Sequence, residues 1–152
     1  MPSKGDSKKF IHIVTQLMNR WGYSHTDGKV YAHLLLKDKP TTIAELAEET
    51  GLSRSSISTA LSRLGRDYIV TYRKEGKTKY FSAVPAFLEK FLQQPREILE
   101  HDITPLEGIV KRFMEASPEG EDHFRAIMED LQRLECVLKN VIELEERGMD
   151  CI

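Results

Sequence analysis

Cysteine is almost missing from this chain: its 152 residues contain two, Cys136 and Cys151. One lies within a helical pattern and the other beside the last residue, which excludes a disulfide framework and argues for a reducing compartment. No apolar run approaches the roughly 20 residues that span a bilayer, and the opening MPSKGDSKK has no apolar signal region. The expectation is a cytoplasmic protein with no membrane partner. Catalytic patterns are missing as well. The five histidines, His12, His25, His33, His101 and His123, are scattered without ligand spacing. Glu97 and His101 stand one helical turn apart and read as a solvated pair rather than a metal face. There is no Ser-His-Asp ordering, no phosphate-cradling glycine loop and no paired-cysteine motif. Nothing in the sequence lowers the pKa of Cys151, which reads as an exposed terminal thiol. The expectation is therefore no enzyme, no catalytic residue, no metal and no cofactor.

What the chain does have is 40% hydrophobic and 30% charged residues, enough for a soluble core. The formal net charge of −2 hides an asymmetry. Residues 1–83 carry 14 Lys and Arg against 8 acids, a net of +6; residues 84–152 carry 8 against 16, a net of −8. Attraction to a polyanion depends on the local field, so a near-neutral total does not exclude nucleic acid. It does indicate which end would face it.

The segment from Thr42 to Val84 is the most informative. Its first part, TIAELAEETGLSRSSISTALSRL, reads as two short amphipathic helices joined at Gly51. Thr42 can cap the first, with Glu45 reaching back to complete a capping box. Ile43, Leu46 and Ala47 form its apolar stripe. Gly51 makes the turn, Leu52 plugs the corner and Ser53 caps the second helix. In that second helix Ile57, Ala60, Leu61 and Leu64 share one side at helical spacing. The other side carries Ser55, Ser58, Thr59, Ser62 and Arg66, with Arg54 in the first turn and Arg63 on the flank. A solvated face normally uses long side chains of both signs. Small hydroxyls with Arg as the only charge make a poor free helix. They suit one pressed into a DNA groove, where they donate to phosphates and base edges.

A hairpin follows, IVTYRKEGKTKYFSAV, with Glu75-Gly76 expected at its turn. Arg73, Lys74, Lys77 and Lys79 crowd its tip against one acid, Glu75. Like charges across paired strands repel, and a polyanion would relieve them. The plainer reading is a basic edge that blocks sheet-to-sheet aggregation. Its place directly after a helix-turn-helix favours a wing on the DNA backbone.

This order of two helices, SRSSISTALSRL and a basic hairpin resembles the winged-helix domain of MarR-type transcriptional regulators, and within them the GbsR-like branch. The likeness covers about Phe10 to Val84, and the C-terminal third only in helical outline. The resemblance implies a homodimeric repressor or activator. It places Ser53, Arg54, Ser55, Ser56, Ser58 and Thr59 at the start of the recognition helix and Arg73, Lys74, Lys77 and Lys79 on the wing. There is one departure. The family usually has a Gly shortly before the first wing strand; here the chain reads Gly65-Arg66-Asp67-Tyr68, with Tyr68 where a left-handed residue is expected.

The remainder reads as helices. One runs from Ser7 to Trp21, and another follows with Thr26 or Asp27 as cap. After the hairpin, Pro85 opens a helix that Pro95 kinks or interrupts. Thr104-Pro105-Leu106-Glu107 then makes a fresh start, with Thr104 as cap. Ser117-Pro118 begins a last helix that Gly148 stops. That helix repeats every seven residues through Phe124, Ile127, Leu131, Leu134, Leu138 and Val141, flanked by Met128, Val137, Ile142 and Leu144. Packing within the chain is one use for this seam; a helix of such length favours a dimer interface.

The resulting expectation is a mostly α fold with a small β-hairpin wing. A winged helix-turn-helix DNA-binding domain spans 1–84 and a helical dimerisation region spans 85–152. The expected function is sequence-specific regulation of transcription by a homodimer on double-stranded DNA, at a roughly palindromic operator. The expected DNA-binding residues are Ser53, Arg54, Ser55, Ser56, Ser58, Thr59, Ser62, Arg63, Arg66, Arg73, Lys74, Lys77 and Lys79. The expected dimer interface is Phe124, Ile127, Leu131, Leu134, Leu138 and Val141. A small-molecule effector is compatible with this reading, but no residue set marks a site for it. The rival is a winged-helix protein-interaction module without sequence-specific DNA binding.

Overall fold

A computed structural model describes residues 3–148. Seven helices and one hairpin follow in chain order: α1 Lys4–Arg20, α2 His25–Leu36, α3 Ile43–Thr50, α4 Arg54–Arg66, β1 Val70–Glu75, β2 Thr78–Ala83, α5 Phe87–Glu97, α6 Thr104–Ala116 and α7 Glu121–Arg147. The chain divides into two compact units, the first ending at Ala86 and the second starting at Phe87.

In the first unit the apolar stripes predicted for α1 to α4 meet in one core. Met18, Val30, Tyr31, Leu46, Ile57, Leu64 and Ile69 are buried there, with Phe81 closing it from the hairpin. The helix starts are local chemistry. Ser3 accepts from the Asp6 N–H, so α1 begins at Lys4 rather than at Ser7. The α2 cap is Ser24, not Thr26 or Asp27; Asp27 is instead the acid that returns to the Ser24 N–H in a capping box. Thr42 and Ser53 cap α3 and α4 as their spacing predicts. The Glu45 carboxylate, however, accepts from the Thr41 hydroxyl rather than closing a box on Thr42. Between α3 and α4, Gly51 takes a φ of 73°, a conformation that side chains with a Cβ disfavour.

The hairpin is antiparallel, with Glu75 opposite Thr78. The two-residue turn is therefore Gly76-Lys77, one position later than the sequence suggested. Gly76 has a φ of 62°, which lets a tight turn follow the strand twist. The hairpin is not free at its base. Thr41 and Phe81 exchange two backbone hydrogen bonds, 2.9 and 2.8 Å. The Tyr31 phenol donates to the Val84 carbonyl at 2.7 Å and accepts from the Ala86 N–H at 3.2 Å. Tyr68 sits between α4 and β1 with a φ of 62°, the only non-glycine with positive φ among the described residues. That costs roughly 1 kcal/mol for a bulky residue.

The second unit is helical. Pro95 lies inside α5 without ending it. The expected fresh start at Thr104 does not occur either: Thr104 is helical and caps nothing. A π-helical segment, Ile98–Ile103, joins α5 to α6, and its last turn is closed from the Thr104 N–H to the Leu99 carbonyl. A proline cannot donate to the carbonyl four residues back and crowds it, and the wider turn just before Pro105 eases that conflict. A short 3₁₀ turn, Pro118–Gly120, leads into α7, which packs on α5 and α6. The expected seam divides. Leu138 is covered by its own chain, Phe124, Leu131 and Val141 are half-buried, and the Phe124 ring lies 5.4 Å from that of Phe113 on α6. Ile127 and Leu134 remain about two-fifths exposed (39% and 41%), and the flanking Val137 and Leu144 are more exposed still. Cys136 is exposed and free; Cys151 lies outside the described residues.

Candidate nucleic-acid interface

The outer face of α4 is built as its sequence predicts. Ile57, Ala60, Leu61 and Leu64 are buried, so the remaining positions are pushed outward by the 3.6-residue period. Arg54, Ser55, Ser56, Ser58, Thr59, Ser62 and Arg66 are exposed. No carboxylate interrupts that face. Ser53 is occupied as the cap, accepting from the Ser56 N–H at 3.1 Å, and its hydroxyl donates to Ser56 Oγ at 2.8 Å. Thr59 donates to the Ser55 carbonyl at 2.9 Å and keeps its oxygen available as an acceptor.

Arg63 stands on the flank of this face, beside Ser55, Ser56 and Thr59, and is held by a carboxylate of α2. Its guanidinium donates twice to Asp27 Oδ1, from Nε at 3.1 Å and Nη2 at 2.7 Å. The Asp27 side chain is almost fully buried, whereas Arg63 is partly exposed. The hydrogen bond and charge of Asp27 raise the Arg63 pKa above its ordinary value. Arg63, expected as a DNA contact, thus also ties α2 to α4. A buried carboxylate needs a paired cation and hydrogen bonds, and Asp27 has both, plus the Ser24 N–H. Sequence reading missed the pair because its members are 36 residues apart.

In the hairpin, Lys74 lies directly opposite Lys79. Lys79 escapes part of that repulsion by placing its ammonium 4.7 Å from the Tyr72 ring centre, a cation–π contact. The Arg73 guanidinium stands 5.8 Å from the Tyr80 ring and 3.4 Å from Glu75. Lys74 and Lys77 are exposed and make no ion pair among the described residues. They are the freest charges of the tip. Between α4 and the hairpin runs an open groove of about 670 Å³, with Ser58, Ser62 and Arg66 on one wall and Tyr68, Tyr72 and Lys79 on the other. No acid lines it. The two tyrosines were not among the expected site residues; the signal available was Tyr68 at a place that demands a left-handed residue.

Among the described residues no cluster of His, Cys, Asp or Glu could hold a metal ion, and no helix is long and apolar enough to cross a membrane.

A helical core, a helix-turn-helix in α3–α4 and a two-stranded wing tied back to the loop before α3 define a winged helix-turn-helix domain followed by a helical unit. Comparison with known proteins agrees at that level. Residues 17–86, a little under half of the chain, match the family of sugar-specific transcriptional regulators TrmB. A solved crystal structure described as that of a transcriptional regulator superposes with a TM-score of 0.52 at 18% identity, covering 94% of this chain and 99% of its own. That likeness shows the fold. No curated protein matches. The matches support a winged-helix regulator, but not the MarR-type family or its GbsR-like branch specifically.

Proposed function

We propose that the protein is a sequence-specific, DNA-binding regulator of transcription that acts as a homodimer. The observation that carries this is the exposed face of α4: small hydroxyls and arginine, free of carboxylate, on a helix held at the front of a winged domain. Such a surface approaches a major groove closely and donates to base edges. Whether the chain sits nearer the GbsR-like branch or the TrmB family it matches in part, α4 and the hairpin have the same roles. The wing tip lies on the backbone. Because the matched family is described as sugar-specific, we propose a polyhydroxylated small molecule as effector, to be checked by titrating saccharides against DNA binding.

The dimer reading rests on the second unit. Among the described residues, ten of the fourteen exposed large hydrophobics lie there, on α5, α6 and α7. That many exposed large apolar side chains on one helical unit support an interaction surface there. Ile127, Leu134, Val137 and Leu144 are the anchors we assign to the partner copy, with half-buried Val141 between them; Leu138 is already covered. Exposed Tyr68 and Tyr72 favour the rival, a protein-docking module, since aromatics are enriched at such surfaces.

Selection of binding sites from random duplex DNA with the purified protein decides between them. A roughly palindromic motif, with half-sites about one helical turn apart, is expected. Uniform recovery of all sequences would remove the reading. The wing's part is checked separately. Replacing both Lys74 and Lys77 with Ala is expected to weaken binding to all duplexes alike and lower the salt slope. Each phosphate no longer neutralised removes about 0.9 from it. An unchanged slope would take the wing off the backbone.

A further inference from the structure

Four glycines among the described residues adopt positive φ: Gly22, Gly51, Gly76 and Gly148. In each case the chain uses the residue that does so without strain. Tyr68 is the exception, and its side chain brings the fold almost nothing in return. It is 84% exposed, with no side-chain hydrogen bond or ring contact among the described residues. The backbone around it is fixed nonetheless. The Tyr68 N–H donates to the Gly65 carbonyl and the Ile69 N–H to the Leu64 carbonyl, both at 3.1 Å, while Ile69 and Val70 are buried in the core. The left-handed turn is thus imposed by the ends of α4 and β1, and a glycine would satisfy it. A large ring kept there against local preference points to a use outside the protomer.

Its surroundings define that use. Tyr68 stands at the groove between α4 and the hairpin, beside Arg66 and Lys79, with Ser58 and Ser62 opposite and no acid in the lining. Tyr72 shares the groove, but its ring is engaged by Lys79 and lies 5.7 Å from Phe81. Tyrosine offers a rigid, amphipathic surface that loses little entropy when it packs.

We propose that Tyr68 is a DNA-contacting residue, its ring packing on the sugar-phosphate backbone beside the groove read by α4. This rests on the DNA-binding reading above and adds a contact that neutralises no phosphate. The test uses the full chain as wild type, Tyr68→Gly and Tyr68→Phe, measured for thermal unfolding and for anisotropy with two labelled duplexes. One carries the site enriched from random DNA and the other a scrambled sequence. Tyr68→Gly is expected to melt at or above the wild-type temperature, because it relieves the left-handed strain. It is expected to bind both duplexes about tenfold more weakly, with the wild-type salt slope. Tyr68→Phe keeps the ring and the affinity. A Tyr68→Gly protein that binds like wild type, or that no longer folds, overturns the assignment. Wild type that binds neither duplex overturns instead the DNA reading beneath it.

Discussion

Arg63→Ala is expected to be among the most damaging single substitutions in the winged unit, lowering its unfolding midpoint by on the order of 10 °C. The arginine is partly exposed; the damage comes from what it leaves behind. Asp27 is 2% exposed, and its carboxyl group would be left with only the Ser24 N–H and the start of α2 as partners. Removing one member of a buried pair costs more than the pair contributes, because the other stays desolvated and unpaired. Neutralising the remnant should recover much of the loss, so Arg63→Ala with Asp27→Asn is expected to melt higher than Arg63→Ala alone. The same double variant checks the assignment of Arg63. Once folded, it should bind the selected duplex nearly as wild type does. Thermal melts followed by circular dichroism, read with duplex binding, measure both. A single variant that melts normally yet loses sequence preference would return Arg63 to the DNA-reading face.

The second large effect is on assembly. Leu134→Glu is expected to convert the proposed homodimer to monomer without unfolding either unit. Leu134 is 41% exposed in the protomer, so a carboxylate there remains solvated when the chain is alone. In the assembled interface it would be buried without a partner, at a cost of several kcal/mol in each copy. Operator affinity should then collapse, since two half-sites no longer bind through one linked pair. Leu138→Glu is the control. That side chain is already covered within the protomer, so its replacement should unfold the second unit rather than only dissociate it. Sedimentation and circular dichroism of the two variants separate these outcomes. A Leu134→Glu protein that stays dimeric would move the interface to another face.

Much of the winged domain was legible because its signals are local. Caps at Thr42 and Ser53, the turn at Gly51 and the stripe of Ile57, Leu61 and Leu64 each need only a few neighbours to act. Where local options were equivalent, the sequence left them open. Ser24, Thr26 and Asp27 all suit a helix start, and only the packed position of Asp27 against Arg63 shows that Ser24 takes the cap. Thr104-Pro105 has the composition of a new helix, yet the chain widens into a π-turn, which accommodates Pro105, and continues. The seven-residue repeat of α7 was visible as well. Its division between Leu138, which is covered, and Leu134, which is not, depends on where α5 and α6 lie. For the outward face of α4, helical spacing gave which residues are exposed; for Arg63 it could not show the partner, because an arginine on a flank serves a carboxylate 36 residues away as readily as a phosphate.

The Thr41–Phe81 pairing has a thermodynamic consequence. It stitches the loop that launches the helix-turn-helix to the returning strand of the wing, so the two parts proposed to meet DNA share one frame. A reader built this way meets the duplex already shaped and has little chain left to order on contact. Binding heat should therefore vary with temperature only as far as the surfaces brought together require, without the larger heat-capacity change of a segment that folds on its target. The duplex would have to do the bending, and sites whose base steps kink easily would be favoured even at positions that no side chain touches.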